Sequence, residues 1–129
     1  MNKKFMVDRA LRASRHKLIV GRWGEGIACD FLFRRGYLMV ERNFHSRNGE
    51  IDIVARKDDI FYFIEVKTRT TEKFGQPEEA FDWRKQKKIE ETIGDYIFFR
   101  SLDIEEWRVG LISILVSGKD RVKIRFFCK

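Results

Sequence analysis

The sequence contains a single proline, Pro77, and has no stretch rich in proline, glycine or serine that would separate two domains. No internal repeat or low-complexity segment divides it either. Its apolar runs fall well short of the roughly 20 residues that a membrane-spanning helix needs. The charged N-terminal stretch also lacks the apolar region of a signal peptide. At 129 residues, the chain is therefore expected to form one globular domain with one core and no membrane partner.

Cysteine is scarce as well. Cys29 and Cys128 are the only two cysteines, and they have neither C-x-x-C spacing nor histidine companions. This pattern argues against a zinc site and favours a reducing, cytoplasmic location.

Positive charge, in contrast, is abundant. The chain has 27 Lys and Arg residues against 20 Asp and Glu, a net charge of +7 that favours a polyanionic partner. Residues 1–17 carry six of these cations and one acid, which predicts a basic arm or short helix ahead of a single domain over residues 18–129. Arg12 and Arg15 in this arm could contact phosphates, although a frayed and solvated terminus explains the block equally well.

The first convincing helix is predicted from about Leu18 to Arg35, because apolar residues recur there at helical spacing. Glu25 lies at the edge of the resulting apolar stripe. It could face a sheet beneath the helix, or it could remain in solvent beside an arginine. The residues that recur every four positions are Trp23, Ile27 and Phe31.

The order of the remaining elements predicts the fold class. A second helix is expected from about Pro77 to Arg100, where proline and acidic residues mark its first turn. The strand after it can join the sheet through a crossover, with helices covering the sheet faces. The prediction is an α/β fold in which helices flank a mixed sheet that ends in an edge strand. The strands are predicted at Tyr37–Phe44, Gly49–Ala55, Ile60–Arg69, Trp107–Val116 and Val122–Phe126.

The hairpin of the second and third strands carries the candidate chemistry. Glu65 and Lys67 share one strand face, because side chains alternate along a strand. If Asp58-Asp59 forms a two-residue loop, Asp52 falls opposite Glu65, with the two Cβ atoms about 5 Å apart. Glu50 shares a face with Asp52. A divalent cation could bridge such a pair, whereas a hairpin whose charges all face water explains the same pattern.

Carboxylate ligands without histidine or cysteine suit Mg²⁺ or Mn²⁺. A metal held by Asp52 and Glu65 can polarise a phosphate and lower the pKa of a bound water. Lys67 could orient that water or stabilise charge that develops on the phosphate. Surrounding cations would hold a nucleic-acid backbone. The residues predicted to contact nucleic acid are Arg12, Arg15, Arg47, Arg69, Lys73, Arg84, Lys87 and Lys88.

Four short motifs follow one another along the chain: Gly24-Glu25, Gly49-Glu50-Ile51-Asp52, Glu65-Val66-Lys67, and Gly75-x-Pro77-x-Glu79-Ala80 followed by Lys85. In combination they resemble the bacterial UPF0102 (YraN-like) family over about residues 21–114. That family is similar to the PD-(D/E)xK nucleases and to the archaeal Holliday junction resolvases. The resemblance implies a restriction-endonuclease-like αβββαβ core.

The resemblance also implies roles for individual residues. Asp52 is preceded by Ile51 and not by the proline of the PD-(D/E)xK motif, and Gly110 stands where family members often have an acid. The implied roles are Asp52, Glu65 and the Val66 carbonyl as metal ligands, Lys67 as the catalytic lysine, Glu25 as a further acid at the metal, and Lys85 or Gln86, with Glu50, as supporting residues.

The expected function is a Mg²⁺- or Mn²⁺-dependent endonuclease that acts on DNA in preference to RNA, with branched or flapped DNA among the candidate substrates. Two alternatives stay open. The protein could bind nucleic acid without cutting it, or Asp52, Glu65 and Lys67 could form only a structural ion cluster in a scaffold. A junction-cutting enzyme would need two copies of the site, which leaves a homodimer open.

Overall fold

The structure is a computed structural model that describes residues 20–70, 83–117 and 121–129. Five strands form one sheet in the order β1-β2-β3-β4-β5. Neither helix in the described ranges is long and apolar enough to cross a membrane. The strands are β1 (Leu38–Ser46), β2 (Gly49–Lys57), β3 (Ile60–Arg69), β4 (Trp107–Ser117) and β5 (Arg121–Cys128), and the helices are α1, described over 20–34, and α2 (Trp83–Phe99).

The sheet is mixed, as the sequence predicts. Strands β1, β2 and β3 form an antiparallel meander, and β4 pairs in parallel with β3 after the crossover through α2. Strand β5 pairs antiparallel with β4 and forms the second edge of the sheet. The predicted α/β fold is therefore confirmed, with the αβββαβ order of a restriction-endonuclease-like core and an added C-terminal strand.

The two helices pack against two separate apolar clusters. Ala28 and Leu32 of α1 pack with side chains of β2, β3 and β4, whereas Ile93 and Tyr96 of α2 pack with side chains of the four strands β1 to β4. Since side chains alternate along a strand, these clusters mark opposite faces of the sheet. The cluster beside α1 contains Ala28, Leu32, Ile53, Ala55, Ile64, Ile112 and Ile114, and the cluster beside α2 contains Phe44, Ile51, Val54, Phe61, Phe63, Ile93, Tyr96 and Val109.

The buried stripe of α1 differs from the predicted one. Ala28 and Leu32, which helical spacing also places in the stripe, are buried as expected, but Trp23 is 45% exposed and Gly24 is buried instead. Small residues at positions 24 and 28 let the helix backbone approach the sheet closely. A Cβ atom at position 24 would overlap the hydroxyl oxygen of Thr68 in β3 and would lie 3.1 Å from its Cβ. The packing distance therefore decides which residues face the sheet, and the bulky Trp23 lies to one side.

Two polar contacts fix α2 and the turn after it to the first two strands. Arg100 donates two hydrogen bonds to the carboxylate of Glu41 in β1, at 2.9 and 2.7 Å. This pairing lowers the pKa of Glu41. Asn48, in the turn that precedes β2, donates a hydrogen bond of 2.8 Å to Asp95 of α2. Helix α2 is thus tied to the strand that carries Asp52.

We expect Gly24→Ala to destabilise the fold by about 1–3 kcal/mol, because the added methyl group has no room beside Thr68. At Gly26, where nothing lies within 4 Å of an added Cβ, the same change should stabilise the helix by about 0.5–1 kcal/mol. Chemical denaturation measures both effects. Thr68→Ala should recover part of the loss at position 24, and a stabilising Gly24→Ala would contradict the close packing.

Candidate active site

The candidate site lies where strands β2 and β3 separate. Their ladder runs from Lys57↔Ile60, beside the Asp58-Asp59 turn, to Ile53↔Ile64. Asp58 and Asp59 have φ angles of 51° and 65°, as a two-residue type I′ hairpin requires. The predicted register is therefore confirmed. Beyond Ile64, β3 stays paired with β4 as far as Arg69, so β3 has a neighbour on one side and a cleft on the other.

Asp52 occupies an irregular position in β2. Ile51 packs in the cluster beside α2, whereas Ile53 packs in the cluster beside α1. In a regular strand these two side chains would share a face, so the alternation breaks at Asp52. The pairing with β1 skips the same point, where Asn43 has a φ of 55°. Asp52 was expected to pair directly with Glu65, but the β2–β3 ladder ends one pair earlier, at Ile53↔Ile64, and β2 is kinked at Asp52.

The carboxylate of Asp52 takes the place of the missing strand neighbour. Its Oδ2 accepts a hydrogen bond of 2.8 Å from the backbone N–H of Val66 in β3. In a strand, the N–H and C=O of one residue point toward the same neighbouring strand. The Val66 carbonyl therefore faces the same cleft, as a metal ligand at this position would have to.

Both helices and both strands line a cavity of about 530 Å³ at this cleft. Residues from the two faces of β3 reach it, because β2 has left that edge. The four acids and the lysine predicted for the site all line it, and so do two lysines of α2. The lining residues are Val20, Gly21, Glu25, Gly49, Glu50, Ile51, Asp52, Phe63, Ile64, Glu65, Val66, Lys67, Thr68, Lys85, Lys88, Ile89 and Thr92.

Burial and neighbouring acids raise the pKa of Asp52 to about 6. Desolvation is the largest cause, and the charges of Glu25, Glu65 and Glu50 add to it. The hydrogen bond from Val66 acts in the opposite direction, because it stabilises the ionised form. The site therefore concentrates negative potential on a half-buried carboxylate, and a cation would relieve it.

Each neighbouring acid has a basic partner. Glu65 lies 3.2 Å from Lys67 Nζ, and Glu25 of α1 lies 3.6 Å from Arg42 of β1. Glu25 thus combines the two arrangements that the sequence left open, since it faces the cavity and also pairs with an arginine. Glu50 is mostly exposed and lies 3.4 Å from His45 Nδ1.

The donor atoms and the charge of this site can be compared with what a divalent metal ion requires. Oxygen donors from Asp52, Glu65 and the Val66 carbonyl are the kind that Mg²⁺ and Mn²⁺ accept. A divalent cation would also offset the repulsion that raises the pKa of Asp52. Among the described residues, however, no three Asp, Glu, His or Cys side chains converge closely enough to hold one ion.

Comparison with known proteins places the chain in a family. The model of the "Uncharacterised protein family UPF0102" matches residues 24–114. UPF0102 proteins of Caldicellulosiruptor bescii and Dictyoglomus turgidum are each 41% identical to this chain, over 104 and 103 residues, which are 80% of this chain and 87% of each relative. One from Clostridium botulinum is 45% identical over 83 residues, which are 64% of this chain and 68% of the relative. The chain belongs to the UPF0102 family.

The segment that matches UPF0102 runs from α1 to β4 and so includes every charged residue of the cavity. Strand β5 lies beyond it. Gly110, where UPF0102 members are expected to have an acid, is buried between Ile64 and Phe126. A Cβ there would lie 2.9 Å from the Phe126 ring, so this chain has no room for an acid at that position.

The basic residues predicted to contact nucleic acid are only partly gathered around the cleft of this UPF0102 protein. Lys88 of α2 lines the cavity, and so does Lys85, which was predicted as a supporting residue. Arg69 ends β3 next to Thr68, which lines the cavity, but is not itself part of the lining. Gln86 is half-buried, Lys87 and Arg47 are exposed, and none of the three is part of the lining. The predictions that fall outside the described residues or side chains are Arg12, Arg15, Lys73 and Arg84, together with the basic arm over residues 1–17.

Sequence reasoning missed two threonines. Thr68 lines the cavity and packs against Gly24, and Thr92 is 1% exposed and donates a hydrogen bond of 2.8 Å to the Lys88 carbonyl. Thr92 could have been found, because it lies seven residues after Lys85 and therefore on the same helix face. Thr68 could not, since its role depends on how closely α1 approaches.

Asp52→Asn is expected to stabilise the metal-free protein at pH 8 by up to about 3 kcal/mol. The folded-state pKa of Asp52 is about 6 against an ordinary 3.8, so the folded protein binds more protons between these values and its free energy of unfolding falls as pH rises through that window. Asparagine can still accept the Val66 hydrogen bond. The gain should vanish near pH 4.

Urea denaturation with chelator at pH 4 and pH 8 measures this difference. Asp103→Asn, at an exposed loop position, is the matched control and should show little effect at either pH. An Asp52→Asn protein that is less stable than the wild type at pH 8 would contradict the electrostatic description of the cleft.

Proposed function

We propose that this UPF0102 protein is a metal-dependent endonuclease that hydrolyses phosphodiester bonds of DNA, in a reducing cytoplasmic setting. The observation that carries the proposal is the placement of Asp52, Glu65 and Lys67 around one cleft. Glu25 from α1 adds a further acid there. A group of carboxylates beside an amine, open to solvent and rimmed by lysines, suits a reaction on a phosphate ester.

Within this proposal each residue has a distinct part. Asp52, Glu65 and the Val66 carbonyl would hold Mg²⁺ or Mn²⁺, with Glu25 as a further acid. The ion would polarise the phosphate and lower the pKa of an attacking water. Lys67 would leave Glu65 and direct its ammonium group at the charge that develops on the phosphate oxygens. The Val66 N–H holds the Asp52 carboxylate in place through its 2.8 Å hydrogen bond.

Cations around the cleft support DNA as the substrate. Lys85 and Lys88 lie one turn apart on the α2 wall of the cavity, and Arg69 follows Lys67 on β3. Such cations attract a polyanionic backbone whatever its sequence, and they release counterions when it binds. Binding should therefore weaken steeply with salt.

A second candidate function is a nucleic-acid-binding protein of the same fold that does not cut. The observation in its favour is the pairing of Glu65 with Lys67 at 3.2 Å, together with the lack of three converging metal ligands in the described part of the chain. Salt-sensitive DNA binding without turnover would be its signature.

We expect Asp52→Asn and Glu65→Gln to abolish Mn²⁺-dependent cleavage, and Lys67→Ala to slow it by about 10²–10⁴-fold. The measurement is single-turnover cleavage of labelled linear, nicked, flapped and branched DNA, with an RNA duplex in parallel. Both carboxylate changes preserve size and shape, so the fold should persist, as thermal melting would verify.

Asp103→Asn and Glu106→Gln remove acids outside the cleft and serve as matched controls that should retain full activity. If cleavage survives both Asp52→Asn and Glu65→Gln, the activity comes from a contaminant. DNA binding without cleavage on every substrate would favour the second candidate.

A further inference from the structure

Lys88 of α2 is exposed, lines the cavity, and forms no salt bridge with any residue in the described part of the chain. Lys67, in contrast, has its amine 3.2 Å from Glu65. Lys87 is exposed like its neighbour but is not part of the lining, since successive side chains of a helix point about 100° apart. The ammonium group of Lys88 is therefore open to a ligand in the cavity.

The helix turn that carries Lys88 is fixed against the start of β2. Thr92, one turn later, is 1% exposed and donates a hydrogen bond of 2.8 Å to the Lys88 carbonyl. A Cβ atom at Gly49 would lie 2.9 Å from the Thr92 hydroxyl oxygen, so this turn touches the β2 backbone. The hydrogen bond from Asn48 to Asp95 is a second contact between the same two segments. The backbone of Lys88 thus has a defined position relative to β2.

Helix α2 runs in the same direction as β2. Thr92 lies against Gly49, the first residue of β2. Arg100, about two turns later, binds the residue of β1 that pairs with Val54 of β2. Residues that precede Thr92 in α2 therefore lie beyond the start of β2.

Lys88 and Asp52 consequently lie on opposite sides of the contact between Thr92 and Gly49. Lys88 comes one helix turn before Thr92, and Asp52 comes three strand residues after Gly49. These spacings place the Cα atoms of Lys88 and Asp52 roughly 15 Å apart along β2. Both residues line the same cavity of about 530 Å³, which therefore extends from the candidate metal ligand at one end to an exposed cation at the other.

We propose that Lys88 binds a backbone phosphate of the cleaved strand other than the phosphate that is cleaved. The proposal rests on the proposed function, because it assigns a second contact to the same substrate. Phosphates follow one another every 3.4 Å or more along a strand, so a separation of roughly 15 Å corresponds to about two to four nucleotides. Lys88 thus favours substrates whose strand continues for that distance beyond the cut. It is a binding residue and takes no part in the chemical step.

A run of lysines on a helix also has a simpler explanation, namely a solvated surface that keeps the protein soluble. In that case Lys88 and Lys87 would be equivalent, because both are exposed and adjacent on α2. The proposal predicts that they differ, since only Lys88 of the two lines the cavity.

The first test is DNA binding by Lys88→Gln, measured with chelator by fluorescence anisotropy on a labelled duplex and a labelled flapped DNA. Loss of one phosphate contact should reduce the slope of log affinity against log salt by about 0.9. Lys88→Arg keeps the charge and should restore the slope. Lys87→Gln is the matched control and should behave as the wild type. Thermal melting of each variant verifies that the fold persists.

The second test locates the phosphate. For Lys88→Gln we expect kcat/KM to fall about tenfold through KM, with an unchanged single-turnover rate at saturating enzyme, as for the loss of a contact made equally before and during the reaction. Replacing single phosphates of the substrate by uncharged methylphosphonates should weaken wild-type binding at one position, about two to four nucleotides from the cut, and have no effect there in Lys88→Gln.

The outcomes separate this proposal from the proposed function. If the wild type binds and cuts DNA while Lys88→Gln keeps the slope and KM of Lys87→Gln, or if no methylphosphonate position loses its effect in Lys88→Gln, the role of Lys88 is refuted and the proposed function stands. If the wild type binds DNA without cutting it, the proposed function fails and the slopes alone decide whether Lys88 binds a phosphate. If it neither binds nor cuts DNA, both fail.

Discussion

The hydrogen bond from the Val66 N–H to Asp52 holds together the feature on which the site depends. The pairing of β2 with β3 ends at Ile53, and the β2 residues that precede Ile53 do not pair with β3. Without Asp52, the Val66 N–H would have no hydrogen-bond partner on that side. A buried donor without a partner costs about 1–3 kcal/mol. The Asp52 carboxylate accepts this hydrogen bond and is held in the cleft, where burial, together with the charges of Glu25, Glu65 and Glu50, raises its pKa to about 6. The strand separation thus creates a carboxylate that is half-buried, fixed and surrounded by like charge.

The two helices add further charged residues to the cleft, one from each face of the sheet. Gly24 brings α1 against Thr68, so Glu25 reaches the cavity from one side of the sheet. Helix α2 supplies Lys85 and Lys88 from the other side, and Asn48, just before β2, binds Asp95 of the same helix. Acids from α1, β2 and β3 and lysines from β3 and α2 therefore line one cleft. This distribution is what a site for a metal ion and a polyanion needs, and it follows from packing that a change at Gly24 would disturb.

Local patterns predicted much of this fold, because they depend on neighbouring residues. The Asp58-Asp59 turn fixes the register of β2 and β3, and Gly36, at a φ of 87°, ends α1 as a glycine in that position usually does. Long-range packing decided the rest. Gly24, and not Trp23, faces the sheet because α1 packs closely against Thr68, 44 positions away in the numbering. The kink at Asp52 was also hidden, since a regular alternation of acids and aliphatic residues predicts an unbroken strand.

The central claim is that Asp52 and its neighbours form a cation site and not a structural ion cluster. Isothermal titration calorimetry of Mn²⁺ into the metal-free wild type tests it most directly, with Asp52→Asn and the exposed Asp103→Asn measured alongside. We expect binding to the wild type and to Asp103→Asn, accompanied by release of protons near pH 6, and loss of that binding in Asp52→Asn. Mn²⁺ binding of equal strength in all three proteins, or in none of them, would contradict the claim.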